Sequence, residues 1–273
     1  MYFENLGRSP TAQALDVGPV CEENIIYFAK RVKRFHVCDL FMRLNRNRPK
    51  GLSTEKIREY LDYAPGSFDG INAFSTRMDE PTKASRPFDR DRDGLVPSGG
   101  AATLIIESYE SAKKRGTPIL GEILGYGFSS NGDHISIPTL NGLVVSVERA
   151  LKDASLAPKN IDYINAHATS TPVGDKTEAQ SIESIFGGLK TPVSSTKSLT
   201  GHEMWMGGAS EIIYSLLMAQ NSFIAPNLNF DNPDEDSAKL NIIPETKEQK
   251  LDIILSNAFG FGGTNSTLIV KKL

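Results

Sequence analysis

Two histidines and a lysine, each set among small residues, carry the most distinctive chemistry this chain offers. His167 lies in Asn165-Ala166-His167-Ala168-Thr169-Ser170-Thr171-Pro172, and His202 closes Lys197-Ser198-Leu199-Thr200-Gly201-His202. Imidazoles brought together can ligate a metal, act as acid and base, or donate hydrogen bonds to a developing oxyanion. A metal is the weakest option, because no HxxxH or HxxE spacing occurs and no cysteine lies nearby. Two satisfied structural histidines are the plain alternative. Against it, the chain has only four histidines, and these two sit in matching contexts beside Lys197. A third stretch, Asn257-Ala258-Phe259-Gly260-Phe261-Gly262-Gly263-Thr264-Asn265, is glycine-rich and allows close backbone approach to a substrate. It is no phosphate loop: no helix pattern follows, and no lysine stands where a Walker loop needs one.

Elements that deliver these residues to one place are legible around them. Short apolar runs, Ile161 to Ile164 and Pro192-Val193, precede the two histidine turns and read as buried strands of a parallel sheet. Ligands gather beyond the carboxyl ends of such strands, which puts both histidines on one rim. Gly174 to Phe186, with Ala179, Ile182, Ile185 and Phe186 in helical register, reads as the crossover helix. Ile253 to Asn257 and Ser266 to Val270 read as strands flanking the glycine-rich loop. Upstream, strands are expected at Gly99 to Tyr109 and Ile119 to Phe128, and helices at Ser108 to Arg115 and Asn141 to Ala154. Ala209 to Gln220 reads as a further helix, then Phe223 to Leu228 as extended chain. Arg86 to Asp93, with three arginines and three aspartates, reads as a salt-bridged corner. Strands and helices in alternation imply an α/β fold.

Composition narrows the class. With 273 residues, 39% hydrophobic and 23% charged, the chain is long enough for a large core. A net charge of -3 argues against bulk attraction to nucleic acid or an acidic membrane surface. No apolar run reaches the length of a membrane span, and the N-terminus lacks a signal-peptide core. Cys21 and Cys38 are too few for a disulfide framework, so the expected setting is a reducing cytoplasm.

Together the His167, Lys197–His202 and Asn257–Asn265 segments closely resemble the β-ketoacyl-[acyl-carrier-protein] synthases, the elongating condensing enzymes of fatty acid synthesis. Ala84-Ser85-Arg86-Pro87-Phe88-Asp89 and Arg92-Asp93-Gly94 add to the likeness, which runs from about Gly66 to Leu273. The resemblance implies a thiolase-like fold and a decarboxylating Claisen condensation of malonyl carrier protein with an acyl thioester. It implies an acyl carrier protein as partner and no cofactor or metal beyond the carrier's phosphopantetheine. On that likeness His167 and His202 are catalytic donors to the enolate, and Lys197 tunes them and holds His202 through a hydrogen-bond network. Thr169 and Thr171 match hydroxyls that grip the pantetheine arm. Phe261 matches a thioester oxyanion donor by its N–H and a pocket gate by its ring, with Phe259 as packing. A non-catalytic chain-length-factor-like partner subunit is the alternative, disfavoured by the presence of both histidines and Lys197.

Residues 1–65 look different. Met1 to Pro19 has no clear period, Glu22 to Leu44 reads as an amphipathic helix, and Ser53 or Thr54 caps a short helix through Tyr63. Lys30 to Lys50 holds eight basic residues against one acid, which is more simply a solvated face than a nucleic-acid site. The family's nucleophilic cysteine is expected on a strand-to-helix turn near residues 25–30. Cys21 is the weak candidate, since Glu22 and Glu23 oppose a thiolate there, and Cys38 falls in the expected helix. The expected organisation is therefore an atypical 1–65 segment, read as a truncated, fused or frame-shifted coding sequence, and a 66–116 remnant of an N-terminal condensing-enzyme half. Residues 117–273 form a complete C-terminal half. The family is homodimeric, but the elements that form its dimer are largely missing from this reading, and the isolated chain is expected to be truncated, to form no acyl-enzyme and to catalyse no condensation.

Overall fold

The apolar runs and helical periods of the C-terminal two thirds become one sheet flanked by helices. The computed structural model describes Gln13–Asp16, Arg34–Val37 and residues 73–273 apart from Ile135. The chain divides into two compact units, residues 1–66 with 100–119 and residues 67–99 with 120–273. Residues 66–116, expected as one segment, are thus shared between them.

In the first unit, β1 (Gln13–Asp16) pairs in parallel with β2 (Arg34–Val37) and antiparallel with β3 (Leu104–Ile106). Two sequence expectations are corrected here. Arg34–Val37 is a strand within the stretch expected as an amphipathic helix, and β1 lies in the stretch that showed no period. The Arg-Phe-His-Val alternation has the period of two that suits a strand. It was masked by the longer helical spacing of the apolar residues around it. After β3, Ser108 caps α1 (Tyr109–Arg115) by accepting the Ser111 N–H, and Gly116 ends it in the left-handed region.

The second unit is built on a six-stranded sheet in the order β4-β11-β10-β5-β6-β8. Its strands are β4 (Gly121–Ser130), β5 (Tyr163–Asn165), β6 (Pro192–Ser194), β8 (Asn241–Ile242), β10 (Ile253–Gly260) and β11 (Thr264–Lys272). β10, β5, β6 and β8 run parallel, while β4, β11 and β10 are antiparallel. β5 and β6 pair through Ile164 with Val193 and Asn165 with Ser194, as the two apolar runs required.

Three helices cover this sheet: α2 (Leu140–Asp153), α3 (Pro172–Phe186) and α5 (Gly207–Asn221). A short α4 (Lys197–Thr200) follows β6. Val147, Ala150 and Leu151 of α2 and Ala179, Ile182 and Phe186 of α3 join Ile164, Ala166, Val193, Leu255 and Ile269 in one buried core. The alternate side chain Asn165 turns to α5, donating to the Ser215 hydroxyl at 3.2 Å, so β5 is enclosed on both faces. Beyond α5, β7 (Phe223–Ile224) pairs with β9 (Lys247–Glu248). No helix among the described residues is long and apolar enough to cross a membrane.

The charged Arg86–Asp93 stretch is the salt-bridged corner its composition suggested. Asp89 is fully buried; it accepts Arg86 Nε at 3.0 Å and the Asp91, Asp231 and Asn232 N–H groups. Arg92 donates to Asp234 at 2.7 Å. The corner meets the His167 turn through the Phe88 N–H, which Asp175 accepts at 2.8 Å.

Candidate active site

β5 and β6 are parallel neighbours, so the turns that follow them emerge on one edge of the sheet. The His167 turn leaves β5 and enters α3 at Pro172, a residue suited to the first helical position. Five consecutive amides of this turn would be orphaned without acceptors. Glu178 takes the His167 and Ala168 N–H groups at 2.9 and 2.7 Å. Asp175 takes those of Thr169, Ser170 and Thr171 at 2.9 to 3.2 Å. Both carboxylates sit in the first two turns of α3, where the helix dipole favours negative charge.

Burial raises the Asp175 carboxyl above its usual range, with the Arg92 guanidinium pulling the other way. Burial likewise lifts Glu178 to about 7, opposed by hydrogen bonds from Asn257 and from the two amides. Asn257 of β10 donates to Glu178 at 3.0 Å and accepts from the Thr267 hydroxyl at 2.9 Å, tying the β10–β11 pair to the turn. Neither Asp175 nor Glu178 was recognised from sequence. Their spacing of three at the start of a helix that follows a small-residue turn was the available signal.

The His202 turn is fastened differently. After α4, Gly201 adopts φ 75° and ψ -173°, a conformation essentially reserved for glycine. A Cβ there would lie 2.8 Å from the Val96 carbonyl oxygen. His202 then bridges to residues 96–98: its N–H donates to Val96 at 2.7 Å and its carbonyl accepts the Ser98 N–H at 3.0 Å. Its ring nitrogen Nδ1 accepts the Met204 N–H at 3.0 Å. A peptide N–H can only donate, so in the neutral ring the proton sits on Nε2.

The two imidazoles meet edge to face with centroids 5.5 Å apart at 85°. Phe259 packs against His167, ring centroids 5.7 Å apart, which fits its expected packing role. Burial first, then the positive charge of Lys197, pushes His202 down to about 3. Burial, Lys197 and His202 in that order hold His167 well below its ordinary value. Both rings are therefore neutral at neutral pH. His167 Nδ1 has no hydrogen-bond partner.

Lys197 is 2% exposed and its ammonium pairs with the buried Glu211 of α5. Its ammonium donates to Glu211, and its charge acts on His202 electrostatically. Burial raises Glu211 to about 7 against the lowering pull of Lys197. Sequence reasoning missed Glu211, which stands inside an apolar helical run where its charge calls for a partner.

Thr169 and Thr171 hydroxyls lie 3.1 Å apart at the mouth of α3. Phe261, Gly262 and Gly263 form a three-residue hairpin turn between β10 and β11, with both glycines at positive φ. Because β10 runs parallel to β5, this turn stands at the same end of the sheet as His167. Phe261 is 46% exposed at its tip. Cys21 and Cys38 lie outside the described residues, as do the expected 53–63 helix and the expected 22–44 helix apart from Arg34–Val37.

Residues 120–231 match the family model for the beta-ketoacyl synthase C-terminal domain. The chain is 45% identical over 213 residues to 3-oxoacyl-[acyl-carrier-protein] synthase 2 of Coxiella burnetii, covering 76% of this chain and 51% of that protein. It thus spans about half the length of the curated relatives it matches. A crystal structure of a beta-ketoacyl synthase from Burkholderia phymatum is 30% identical with a TM-score of 0.80, covering 100% of this chain and 78% of that one. A type II PKS ketosynthase, bound to the hexaketide and in complex with its acyl-carrier protein, is 31% identical with a TM-score of 0.73, covering 77% of this chain and 53% of that one. With its histidine turns, buried lysine and glycine hairpin set on this sheet, the chain belongs to the β-ketoacyl synthase family and has the thiolase-like fold of its ketosynthase relatives.

Proposed function

We propose that the site promotes the decarboxylating half of a 3-oxoacyl-[acyl-carrier-protein] synthase reaction. The bond between C2 and the carboxylate of a malonyl thioester breaks. CO2 leaves and the electron pair passes into the thioester, forming an enolate oxygen that needs donors at once. The observation that carries this reading is the pair of neutral imidazoles, 5.5 Å apart, with the His202 proton directed to Nε2 by the Met204 N–H. Neutral N–H donors in a water-poor site stabilise an oxyanion without giving up the proton. In the complete reaction the enolate carbon attacks an acyl thioester and expels its thiolate. Burial, with the positive field of Lys197 added to it, keeps both rings neutral.

The thioester arrives, in this reading, on the phosphopantetheine of an acyl carrier protein, and no other cofactor is needed. The support is the solved ketosynthase that holds its acyl-carrier protein and the adjacent Thr169 and Thr171 hydroxyls, which suit a pantetheine amide. Phe261 serves as thioester oxyanion donor through its N–H and as gate through its ring. Residues 117–273 act as the C-terminal half of the condensing unit, working in the cytoplasm.

Incubating the full chain with malonyl carrier protein and measuring CO2 release tests the proposal. Release above the enzyme-free rate is expected, falling by about 10²–10³ in His167→Ala and in His202→Ala. Equal release by the parent and both variants, or none from a folded parent, would overturn it.

A further inference from the structure

Behind His202 lies a clasp that the reaction above does not use. Glu203 is 7% exposed and accepts hydrogen bonds from the Ser210 hydroxyl and from the Tyr214 hydroxyl, the latter at 2.7 Å. Both partners sit one turn apart on α5. A carboxylate is acceptor-only, with two oxygens, so it can serve both hydroxyls. Between Glu203 and α5, Met204–Met206 makes a single 3₁₀ turn in which the Met206 N–H returns to the Glu203 carbonyl at 3.3 Å. Met204 stands at φ 52°, a left-handed conformation that a methionine leaves unless its surroundings hold it. The N–H presented by this residue is the one that His202 Nδ1 accepts.

We propose that Glu203 is a positioning residue for His202. By fastening the turn to α5 through Ser210 and Tyr214, it keeps Met204 left-handed, its N–H on Nδ1, and the imidazole proton on Nε2. Freed from the clasp, Met204 relaxes toward ordinary backbone geometry, Nδ1 loses its fixed donor, and the ring populates both tautomers. The catalytic meaning rests on the reading of His202 as an oxyanion donor, but the tautomer is measurable without turnover.

The test is nitrogen-15 NMR of the histidine rings in the full chain. The parent should show a single Nε2–H tautomer for His202. Glu203→Leu should show both tautomers, and so should the Ser210→Ala/Tyr214→Phe pair, which removes the same bonds should Glu203→Leu fail to fold. Glu203→Gln, which keeps an acceptor oxygen, should restore the single tautomer. CO2 release should fall about 10–100-fold where the tautomer is lost, through kcat and not KM. A folded Glu203→Leu or double variant that keeps only Nε2–H overturns the proposal. A mixed tautomer with unchanged CO2 release leaves Glu203 as the positioning residue and overturns the donor reading instead.

Discussion

The two histidine turns reach the same edge of the sheet but are held by opposite means. At His167 the backbone is fixed by two buried carboxylates, while the ring nitrogen Nδ1 is left without a partner. At His202 the ring is fixed by the Met204 N–H, and the backbone is laced to Val96 and Ser98. The difference teaches that one ring has a defined proton position while the other has a defined place. For the proposed enolate, His202 offers a preset N–H and His167 one that can adjust its tautomer. The two ends share Lys197, whose charge acts on both rings.

Removing what is shared should have the largest effect. Lys197→Met leaves the Glu211 carboxylate buried without its cation, a loss of about 3–5 kcal/mol. Denaturant unfolding measures it, and in the folded fraction both imidazoles should titrate at higher pH than in the parent. A change comparable to that of an exposed ion pair, below about 1 kcal/mol, would show that the pair does not hold the site.

Breaking one end alone comes next. Gly201→Ala places a Cβ against the Val96 carbonyl at a φ of 75°, costing about 1–3 kcal/mol. The expected result is a lower melting temperature with displaced His202 ring resonances and an undisturbed His167 amide. Equal displacement at both histidines would mean that the two turns are not independently held.

The smallest effect belongs to the carboxylate cradle. Glu178 binds its proton more tightly in the fold, at about 7, than at the ordinary value of 4.5. Its contribution to stability is therefore fully present below about pH 4.5 and is lost as pH rises through about 7. Glu178→Gln removes that slope, so its stability relative to the parent should rise between about pH 5 and pH 8. Parallel curves of stability against pH for the two proteins would refute the shift.

What the sequence disclosed follows from how local each feature is. β5, β6 and α3 were legible because an apolar run, a small-residue turn and a helical period lie side by side in the chain. The histidines and Lys197 stood out by type and context. Their supports did not, because Glu178 and Glu211 acquire meaning only once helix phase turns them toward the turn or the ammonium. The resemblance implied a hydrogen-bond network from Lys197 to His202 but could not name Glu211, the buried carboxylate on α5 that its ammonium meets. β2 was misjudged because the four-residue alternation around Phe35 and Val37 fell inside a longer apolar spacing with helical period.

The central claim is that both site imidazoles are neutral N–H donors at physiological pH. A pH titration of the His167 and His202 ring signals by NMR, in the full chain, tests it most directly. The account predicts that neither ring protonates between about pH 8 and pH 5, with the proton of His202 on Nε2 throughout. Titration of either ring with a midpoint near the ordinary imidazole value of about 6.5 would contradict it.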